Sequence, residues 1–277
     1  MPELPEVETI RKTLERLVIG KKINQVKIRW GKIIKLPSDA LEFQTKCMGQ
    51  TVHAIERRGK FLKFILDDDV LVSHLRMEGR YTLDQGDEPY DKHTHIIFSF
   101  TDGSELRYQD VRKFGTMHLF MKGLEEQNPP LSNLGVEPLS SDFTPEVLKT
   151  AFGQTTRNIK SILLDQSVVV GLGNIYVDEV LFRAGIHPQQ IGINLNDSDI
   201  GRLHREIVLT LTEAVEQGGS TVRSYVNSQG EIGKFQFNHF VYGKKGQACP
   251  KCGGEIEKMV VAQRGTHFCP TCQKVRK

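Results

Sequence analysis

The sequence predicts an α+β protein with an antiparallel β-sandwich first, a helical region next and a small cysteine-rich ribbon last. Three observations predict this order. Short apolar strands at hairpin spacing fill residues 23–120, helical periodicity follows from residue 145, and four of the five cysteines lie in the last 29 residues. With 277 residues, the chain is long enough for two domains with substantial cores.

The first element is a helix over residues 5–19, which has Val7, Ile10 and Leu14 on one face and ends at Gly20. Seven strands then alternate with turns such as Arg58-Gly59. The predicted strands cover residues 23–30, 51–57, 60–66, 70–75, 94–100, 104–108 and 116–120. Because strands at hairpin spacing pair with their neighbours, they indicate an antiparallel sandwich with the helix packed on it.

A stretch that starts at Gly123 is rich in Pro, Ser and Asn, has no periodicity and is the predicted linker. The helices predicted after it cover residues 145–151, 157–164, 175–184 and 197–217. Before the third of these, Gly171 and Gly173 allow a tight backbone and Asn174 is the expected N-cap. A phosphate can dock at such a helix start, although a plain helix–helix connection explains the same residues. The polar, glycine-hinged segment from Gly218 has the profile of a binding loop.

The C-terminal segment CPKCGGEIEKMVVAQRGTHFCPTCQ contains two Cys-x-x-Cys pairs that are sixteen residues apart. Such pairs place four thiolates around one zinc ion, and a closed four-sulfur site is structural. The alternative is two disulfides, which a cytoplasmic location disfavours. The predicted zinc ligands are Cys249, Cys252, Cys269 and Cys272. Between them we expect a strand over residues 255–262 and a turn at 263–266, which gives a two-stranded ribbon with Arg264 at its tip. The remaining cysteine, Cys47, lies in an apolar stretch and is expected to be a buried thiol.

Charged residues make up 26% of the chain and apolar residues 38%, which is typical of folded soluble proteins. The sequence has no apolar run long enough to span a membrane, and its start lacks the basic flank and apolar core of a signal peptide. We therefore expect a cytoplasmic protein without membrane contact. The net charge is +3, but residues 218–277 carry +7 and the preceding residues −4. This asymmetry suggests a polyanionic partner, although a solvated basic tail has the same composition.

The chain opens with MPELPEVETI, in which a proline occupies the second position. Small second residues favour removal of the initiator methionine, and Pro2 would then present a secondary amine. The reference pKa of an α-amino group is about 7.7–8.0, so a useful fraction is unprotonated near neutral pH. Such amines attack carbonyl-like carbons and form iminium intermediates. The alternative is a stiff leader before a helix that starts at Pro5.

Seven segments, in order along residues 1 to 273, resemble the bacterial formamidopyrimidine-DNA glycosylase family. They are MPELPEVET, RRGKF, SHLRMEGR, RYQDVRKFGTMHL, GLGNIYVDEVLFRAGIHP, GGSTVRSY and QRGTHFCPTCQ. The resemblance implies a β-sandwich catalytic domain over residues 1–132, a helix–two-turns–helix domain with a lesion-recognition loop over 133–240, and a zinc ribbon over 241–277. It also implies a bacterial monomer that binds damaged double-stranded DNA and is nucleoid-associated when bound.

The resemblance implies a bifunctional glycosylase and abasic-site lyase. Pro2 would attack C1′ of the damaged nucleotide, release the base through a Schiff base and cut the strand by β,δ-elimination. Glu3 is implied as the acid that helps to open the sugar, and Glu6 as a helper in proton or water handling. Lys60 is implied to contact phosphate and to assist catalysis, and Arg264 to promote the final elimination.

The resemblance also implies three sets of DNA contacts. The implied backbone contacts are His74, His93, Asn174, Tyr242 and Lys258. Met77, Arg112 and Phe114 would fill the space left by the extruded nucleotide. The implied lesion pocket comprises Glu78, Ser220, Thr221, Val222, Arg223, Ser224 and Tyr225. The Met and Arg-x-Phe combination favours oxidised purines, namely 8-oxoguanine opposite cytosine and formamidopyrimidines, over the oxidised pyrimidines of the related endonuclease VIII.

Two positions depart from the family pattern. Gln263 stands where relatives usually carry Gly, and Thr155-Thr156-Arg157 leaves one positive charge where basic residues are common. Three other functions compete with the leading one: the same chemistry on oxidised pyrimidines, a non-catalytic binder of damaged DNA, and a zinc-dependent hydrolase. The last is disfavoured because four thiolates leave no open coordination position on the metal.

Overall fold

The computed structural model describes residues 1–153, 155–220 and 238–275, which fall into two compact units. The first unit comprises residues 1–133 together with Ser220, and the second comprises residues 134–219 and the described residues from 238 onward. The α+β class predicted from the sequence is confirmed, with the sheets of the first unit preceding the helices of the second. The domain boundaries expected at 132/133 and 240/241 stay a prediction.

The first unit is a sandwich of two sheets with two helices. Helix α1 spans Leu4–Val18 and helix α2 spans Ala40–Cys47. The strands are β1 (Ile23–Ile28), β2 (Ile34–Leu36), β3 (Ala54–Arg58), β4 (Phe61–Ile65), β5 (Asp69–His74), β6 (Arg80–Gln85), β7 (Thr94–Phe100), β8 (Ser104–Gln109) and β9 (Thr116–Met121). One sheet has the order β1-β7-β8-β6 and the other β2-β9-β5-β4-β3. The predicted antiparallel sandwich is confirmed, with one parallel pair, β2 and β9, at an edge.

The core of this unit lies between the two sheets and under α1. Val7, Ile10 and Leu14 of α1 are buried in it, as their spacing predicts. The Tyr81 ring lies 5.3 Å from that of Phe64 across the sandwich and 5.2 Å from that of Tyr108, its partner on the neighbouring strand β8, measured between ring centroids. Because α1 is packed into this core from its first turn, the residues that precede it are held against the sandwich.

Three elements of the first unit were not predicted: α2, β2 and β6. Each buries few side chains, since α2 buries Phe43 and Cys47 and β6 buries Tyr81. Such short, half-polar segments have no clear apolar period, so their structure depends on contacts made elsewhere in the chain. The expectation for Cys47 is confirmed, because this residue ends α2 as a fully buried thiol whose pKa is raised by burial.

The second unit packs helices around one central helix. The helices are α3 (Pro145–Gly153), α4 (Ile159–Leu163), α5 (Asn174–Ala184) and α6 (Asp197–Glu216). Helix α5 is buried along nearly its whole length and ends at Gly185, whose φ of 66° is left-handed. Asn158 and Asn196 cap α4 and α6 by accepting backbone N–H groups. No helix in the described part of the chain is both long and apolar enough to span a membrane.

The ribbon at the end of this unit consists of β10 (Glu257–Val261) and β11 (Arg264–Phe268) in antiparallel register. The turn expected at 263–266 is wrong, because Ala262 and Gln263 form the turn and residue 264 already pairs with Val261. The strand expected over 255–262 is shorter at both ends, because residue 262 lies in this turn and the ladder of β10 begins only at Glu257. Arg264 nevertheless lies directly beside the ribbon tip, where it is exposed.

Candidate functional site

The start of the chain is fixed by reciprocal hydrogen bonds around Glu3 and Glu6. Pro2 and Glu3 are buried just before α1, and the exposed fraction of Glu3 is 2%. The Glu3 N–H donates to Glu6 Oε2 at 2.8 Å, and the Glu3 carboxylate accepts the Glu6 N–H, which forms a capping box. The N–H of Ser220 donates to the other Glu6 oxygen, Oε1, at 2.7 Å. Glu6 therefore ties two backbone segments together and sets the position of the Pro2-Glu3 peptide.

Ser220 is the one member of the predicted loop pocket that the structure describes, and it is buried. The other loop members, Thr221, Val222, Arg223, Ser224 and Tyr225, lie outside the described residues. Glu78 is described and lies exposed in the turn between β5 and β6. The lesion pocket as a whole stays a prediction.

Lys60 and His74 lie close together at the end of the β3–β4 hairpin. Lys60 follows Gly59, whose φ is 55°, and it is only 5% exposed, so the alternative of an exposed edge-strand lysine is wrong. His74 ends β5, and burial lowers its pKa to about 3, with the positive charges of Arg76 and Lys60 acting in the same direction. His74 is therefore neutral at pH 7. Its Nδ1 accepts the Arg76 N–H at 2.9 Å, which leaves the ring proton on Nε2.

The three side chains that are predicted to fill the DNA stack are all exposed, namely Met77, Arg112 and Phe114. From the sequence alone, the two apolar ones would be interpreted as core residues of strands. Met77 is 38% and Phe114 52% exposed, and the Arg112 guanidinium lies 4.6 Å from the centroid of the Phe114 ring. The loop that carries the last two is held by buried Asp110, which accepts the N–H groups of Arg112 and Gly115 at 3.0 and 2.8 Å. Large exposed apolar side chains on a rigid loop indicate a contact surface.

His93 is half-buried in the turn before β7. Its N–H donates to Asp91 Oδ1 at 2.7 Å, and its carbonyl oxygen accepts the Asp110 N–H at 3.0 Å. The turn of His93 is thereby joined to the loop that carries Arg112 and Phe114.

In the second unit, the predicted phosphate contacts converge on the first residues of β11. Asn174 is the first residue of α5 but not its cap, which is Gly173, so the N-cap prediction is wrong. Its side-chain amide instead donates to the carbonyl oxygen of Gly265 at 2.9 Å. Lys258 pairs across the ribbon with His267. Its side chain also lies close to Gly265, since a Cβ added at Gly265 would be only 2.9 Å from Lys258 Cε. The Tyr242 ring contacts the His267 ring edge-on at 5.1 Å, so Asn174, Tyr242 and Lys258 are brought together.

A buried ion pair attaches the ribbon to the helices. Lys160 Nζ lies 2.6 Å from Asp178 Oδ1 and 2.8 Å from Thr266 Oγ1, and neither charged side chain is exposed. The second oxygen of Asp178 accepts the N–H of His267 at 2.8 Å. Because β11 is bonded to both residues, this pair sets the position of the strand that begins with Arg264.

The neighbouring acid on α5 holds the chain that enters the ribbon. Both oxygens of Glu179 accept backbone N–H groups, from Phe240 at 2.7 Å, Val241 at 3.0 Å and Tyr242 at 2.8 Å. Burial raises the pKa of Glu179, while these three bonds favour its charged form. Sequence reasoning missed both carboxylates. The available signal was two adjacent acids inside the otherwise apolar helix VDEVLF.

Replacement of Asp178 by Asn should lower the free energy of unfolding of the second unit by about 3–5 kcal/mol, because it leaves Lys160 buried without its counter-charge. The double variant K160M/D178N should recover much of this loss, since it removes both charges. Urea denaturation of the two variants measures the difference. The control is R157Q, which breaks a half-exposed pair with Asp165 and should cost at most about 1 kcal/mol. Equal losses in D178N and R157Q would contradict this assignment.

The four ribbon cysteines are arranged for one zinc ion. Their sulfur atoms all lie within 4.8 Å of one another, with 3.9 Å between Cys249 and Cys272 and 3.5 Å between Cys252 and Cys269. Tetrahedral coordination with Zn–S bonds of about 2.3 Å places sulfurs about 3.8 Å apart, so the set fits. None of the four forms a disulfide, and the disulfide alternative is wrong. A hydrogen bond from the Gly254 N–H lowers the pKa of Cys252 to about 7 and favours its thiolate, whereas burial raises the pKa values of Cys269 and Cys272.

The turn at the ribbon tip places two non-glycine residues in the left-handed region. Ala262 has a φ of 52° and Gln263 a φ of 58°, as a two-residue type I′ hairpin turn requires. Q263G should therefore raise the free energy of unfolding by about 1 kcal/mol, because glycine adopts this conformation without strain. Thermal denaturation of the zinc-loaded protein measures the gain. The matched control is Q189G at an exposed glutamine with negative φ, which should not stabilise. A gain in both variants, or in neither, would contradict the strain assigned to Gln263.

Comparisons with known proteins match three family models and relatives along nearly the whole chain. Residues 1–117 match the formamidopyrimidine-DNA glycosylase N-terminal domain, residues 134–226 the H2TH domain of the same enzymes, and residues 246–275 the zinc finger found in FPG and IleRS. The formamidopyrimidine-DNA glycosylase of Bacillus licheniformis is 63% identical over 274 residues, which is 99% of this chain and all of that protein.

Two solved structures with the same fold are complexes with damaged DNA. One is a Lactococcus lactis FPG mutant with a Fapy-dG containing DNA, at a TM-score of 0.93 and 42% identity. Another is MutM with carbocyclic 8-oxo-G containing DNA, at a TM-score of 0.92 and 42% identity. Each covers 99% of this chain and is covered in full by it.

A β-sandwich, an H2TH helical domain and a four-cysteine zinc finger, in this order, define a DNA glycosylase of base-excision repair. The chain belongs to the formamidopyrimidine-DNA glycosylase family. The cysteines identified above are in position to bind its one zinc ion, and the family assignment predicted from seven sequence segments is confirmed.

Proposed function

We propose that the chain excises oxidised purines from double-stranded DNA and then cuts the strand at the resulting abasic site. The observation that carries this proposal is the fixed N-terminus. The Glu3–Glu6 capping box and the Ser220 bond hold Pro2 and Glu3 at one point of the first unit. A nucleophilic amine and a proton donor must act on one sugar carbon, and adjacent residues in a buried, bonded peptide satisfy that requirement.

The proposed reaction begins after removal of Met1. The Pro2 nitrogen attacks C1′, the bond from C1′ to the base breaks, and the base leaves with a proton. Glu3 protonates the ring oxygen O4′, so the sugar opens and an iminium forms between Pro2 and C1′. Loss of a proton from C2′ expels the 3′ phosphate, and loss of a proton from C4′ in a second elimination expels the 5′ phosphate. Hydrolysis of the iminium then releases the sugar fragment and returns the amine.

Two cations support these steps in the proposal. Lys60 is buried beside neutral His74, so of these two residues Lys60 supplies a positive charge to a phosphate and His74 supplies a neutral N–H. Arg264, exposed at the start of β11, promotes the final elimination. Its strand is held by the Asp178 bond to His267.

DNA binding in the proposal uses the contact residues of both units. Asn174, Tyr242 and Lys258 form a phosphate site at the start of the eleven-residue helix α5, where backbone N–H groups and a positive helix end favour an anion. His74 and His93 contact the backbone from the first unit. The exposed Met77, Arg112 and Phe114 fill the stack after the nucleotide is extruded. The protein acts as a monomer.

The test compares cleavage of duplexes that each carry one lesion: 8-oxoguanine opposite cytosine, a formamidopyrimidine, or an oxidised pyrimidine. We expect excision of both purine lesions and a one-nucleotide gap with phosphate at both ends. Preferential cleavage of the oxidised pyrimidine would move the chain to the activity of endonuclease VIII. Tight binding to all lesions without cleavage would show a damage binder instead of an enzyme.

A further inference from the structure

Outside the residues discussed above, one exposed cluster combines an aromatic ring with two lysines. Trp30, the only tryptophan of the chain, is half-exposed in the turn after β1. The Nζ of Lys113 lies 4.0 Å from the centroid of its ring, and the Nζ of Lys32 lies 5.5 Å from it. We call Trp30, Lys32 and Lys113 the tryptophan cluster.

The tryptophan cluster is preorganised by hydrogen bonds on both sides. The N–H groups of Arg29 and Trp30 donate to the carbonyl oxygen of His95, at 2.8 and 3.4 Å. The His95 ring in turn bonds the carbonyl oxygen of Asp110 at 2.8 Å through Nε2. Asp110 organises the loop that contains Lys113, whose φ is 58°. The turn that contains Trp30 and the loop that contains Lys113 are therefore connected through these hydrogen bonds.

The two lysines carry charge that no acid in the described part of the chain neutralises. Among the described residues, no carboxylate lies within ion-pair distance of Lys32 or Lys113. Exposed Lys46, in contrast, pairs with Glu42 at 3.1 Å. A cation over an exposed aromatic ring gains only about 0.5–1 kcal/mol, so these ammonium groups remain available to an external anion. Cations interleaved with aromatic rings are typical of surfaces that bind nucleic acid backbones.

We propose that the tryptophan cluster binds the phosphodiester backbone of the strand opposite the lesion. Lys113 stands between Arg112 and Phe114 in the sequence, on the loop that is proposed to fill the stack and to reach the orphaned partner base. If this loop reaches the partner base as proposed, the strand that carries that base is the backbone nearest to Lys113, which is the reason for assigning the cluster to that strand. This inference rests on the proposed function and extends the DNA contacts to Trp30 and Lys32, on a different loop.

The test measures the salt dependence of binding to a duplex with a tetrahydrofuran abasic analogue, which cannot be cleaved. In a plot of log K against log salt concentration, each lysine that contacts a phosphate makes the slope steeper by about 0.9, which corresponds to about eightfold in affinity at 0.1 M salt. The slopes of K32Q and K113Q should each be shallower by this amount, and their affinities lower by this factor. The fluorescence of Trp30 should change when the duplex binds. The matched control, K46Q, should keep the slope of the unsubstituted protein.

The strand is identified by methylphosphonates, which remove the charge of single phosphates. A methylphosphonate at one position in the strand opposite the lesion should abolish the loss of affinity caused by K113Q. The same replacement in the damaged strand should leave that loss unchanged. Unchanged slopes in K32Q and K113Q, or an effect confined to the damaged strand, would overturn the inference while leaving the proposed function intact. If the unsubstituted protein neither binds nor cleaves damaged duplexes, the proposed function and this inference both fall.

Discussion

Protein that retains Met1 should form no borohydride-trapped adduct with DNA, whereas the same chain that begins at Pro2 should trap efficiently. In the longer chain the Pro2 nitrogen is an amide, whose lone pair is delocalised and cannot attack C1′. We expect cleavage to fall by roughly 10³-fold or more, as is found when an enzyme nucleophile is removed. The measurement is single-turnover cleavage and trapping with both forms, each verified by mass spectrometry of the intact N-terminus.

The Glu3→Gln variant is the control that separates the two half-reactions. Glutamine keeps the capping-box acceptor, so the N-terminus should stay in place. It cannot donate a proton as an acid, so base release from 8-oxoguanine should be lost. At a preformed abasic site the sugar already equilibrates with its open aldehyde, so trapping by Pro2 should persist. Equal trapping by the Met1-retaining and Pro2-starting proteins would contradict the role of the amine.

Removal of zinc should abolish DNA binding while leaving the first unit folded. The ribbon packs against α5 through a small core, in which Phe182 of that helix, Val241 and Ile256 surround two of the cysteines. A core of this size does not keep two strands paired, whereas a structural zinc site contributes about 10–16 kcal/mol in zinc-finger peptides at pH 7. Chelation should therefore release β10 and β11 and with them Lys258 and Arg264.

Hydrogen exchange of residues 246–275, followed together with DNA affinity during chelation, measures this effect. Cys252→Ser should reproduce it without a chelator. The control is Cys47→Ala, which removes a cysteine outside the ribbon and should keep both zinc and DNA affinity. Loss of zinc with unchanged exchange in the ribbon and unchanged affinity would contradict a structural role for the metal.

The sequence predicted the parts of the fold that have strong local signals. The apolar face of α1, the strands with explicit turns and the paired cysteines each satisfy a local rule, and each was found in place. The turn at Ala262-Gln263 has no such signal, because neither residue favours positive φ. The tertiary structure imposes it: zinc and the bonds of β11 to α5 fix the register of the ribbon.

The candidate site was predicted as a set of residues but not as an arrangement. Asn174 was expected to cap α5. Its side-chain amide instead donates to the carbonyl oxygen of Gly265, a partner on a strand that lies 91 residues later in the chain. Lys160, Asp178 and Glu179 were not predicted as part of the site. The two adjacent acids inside VDEVLF indicate buried charges, but their partners are backbone groups and side chains that are distant in sequence. No local pattern identifies those partners, because tertiary contacts specify such buried polar networks.

Peptide mapping of the adduct trapped by borohydride on a duplex with 8-oxoguanine opposite cytosine identifies the nucleophile directly. We expect one modified peptide, with the sugar remnant on the nitrogen of Pro2. An adduct on the ε-amine of Lys60, or strand cleavage without any adduct from chains that begin at Pro2, would contradict this expectation.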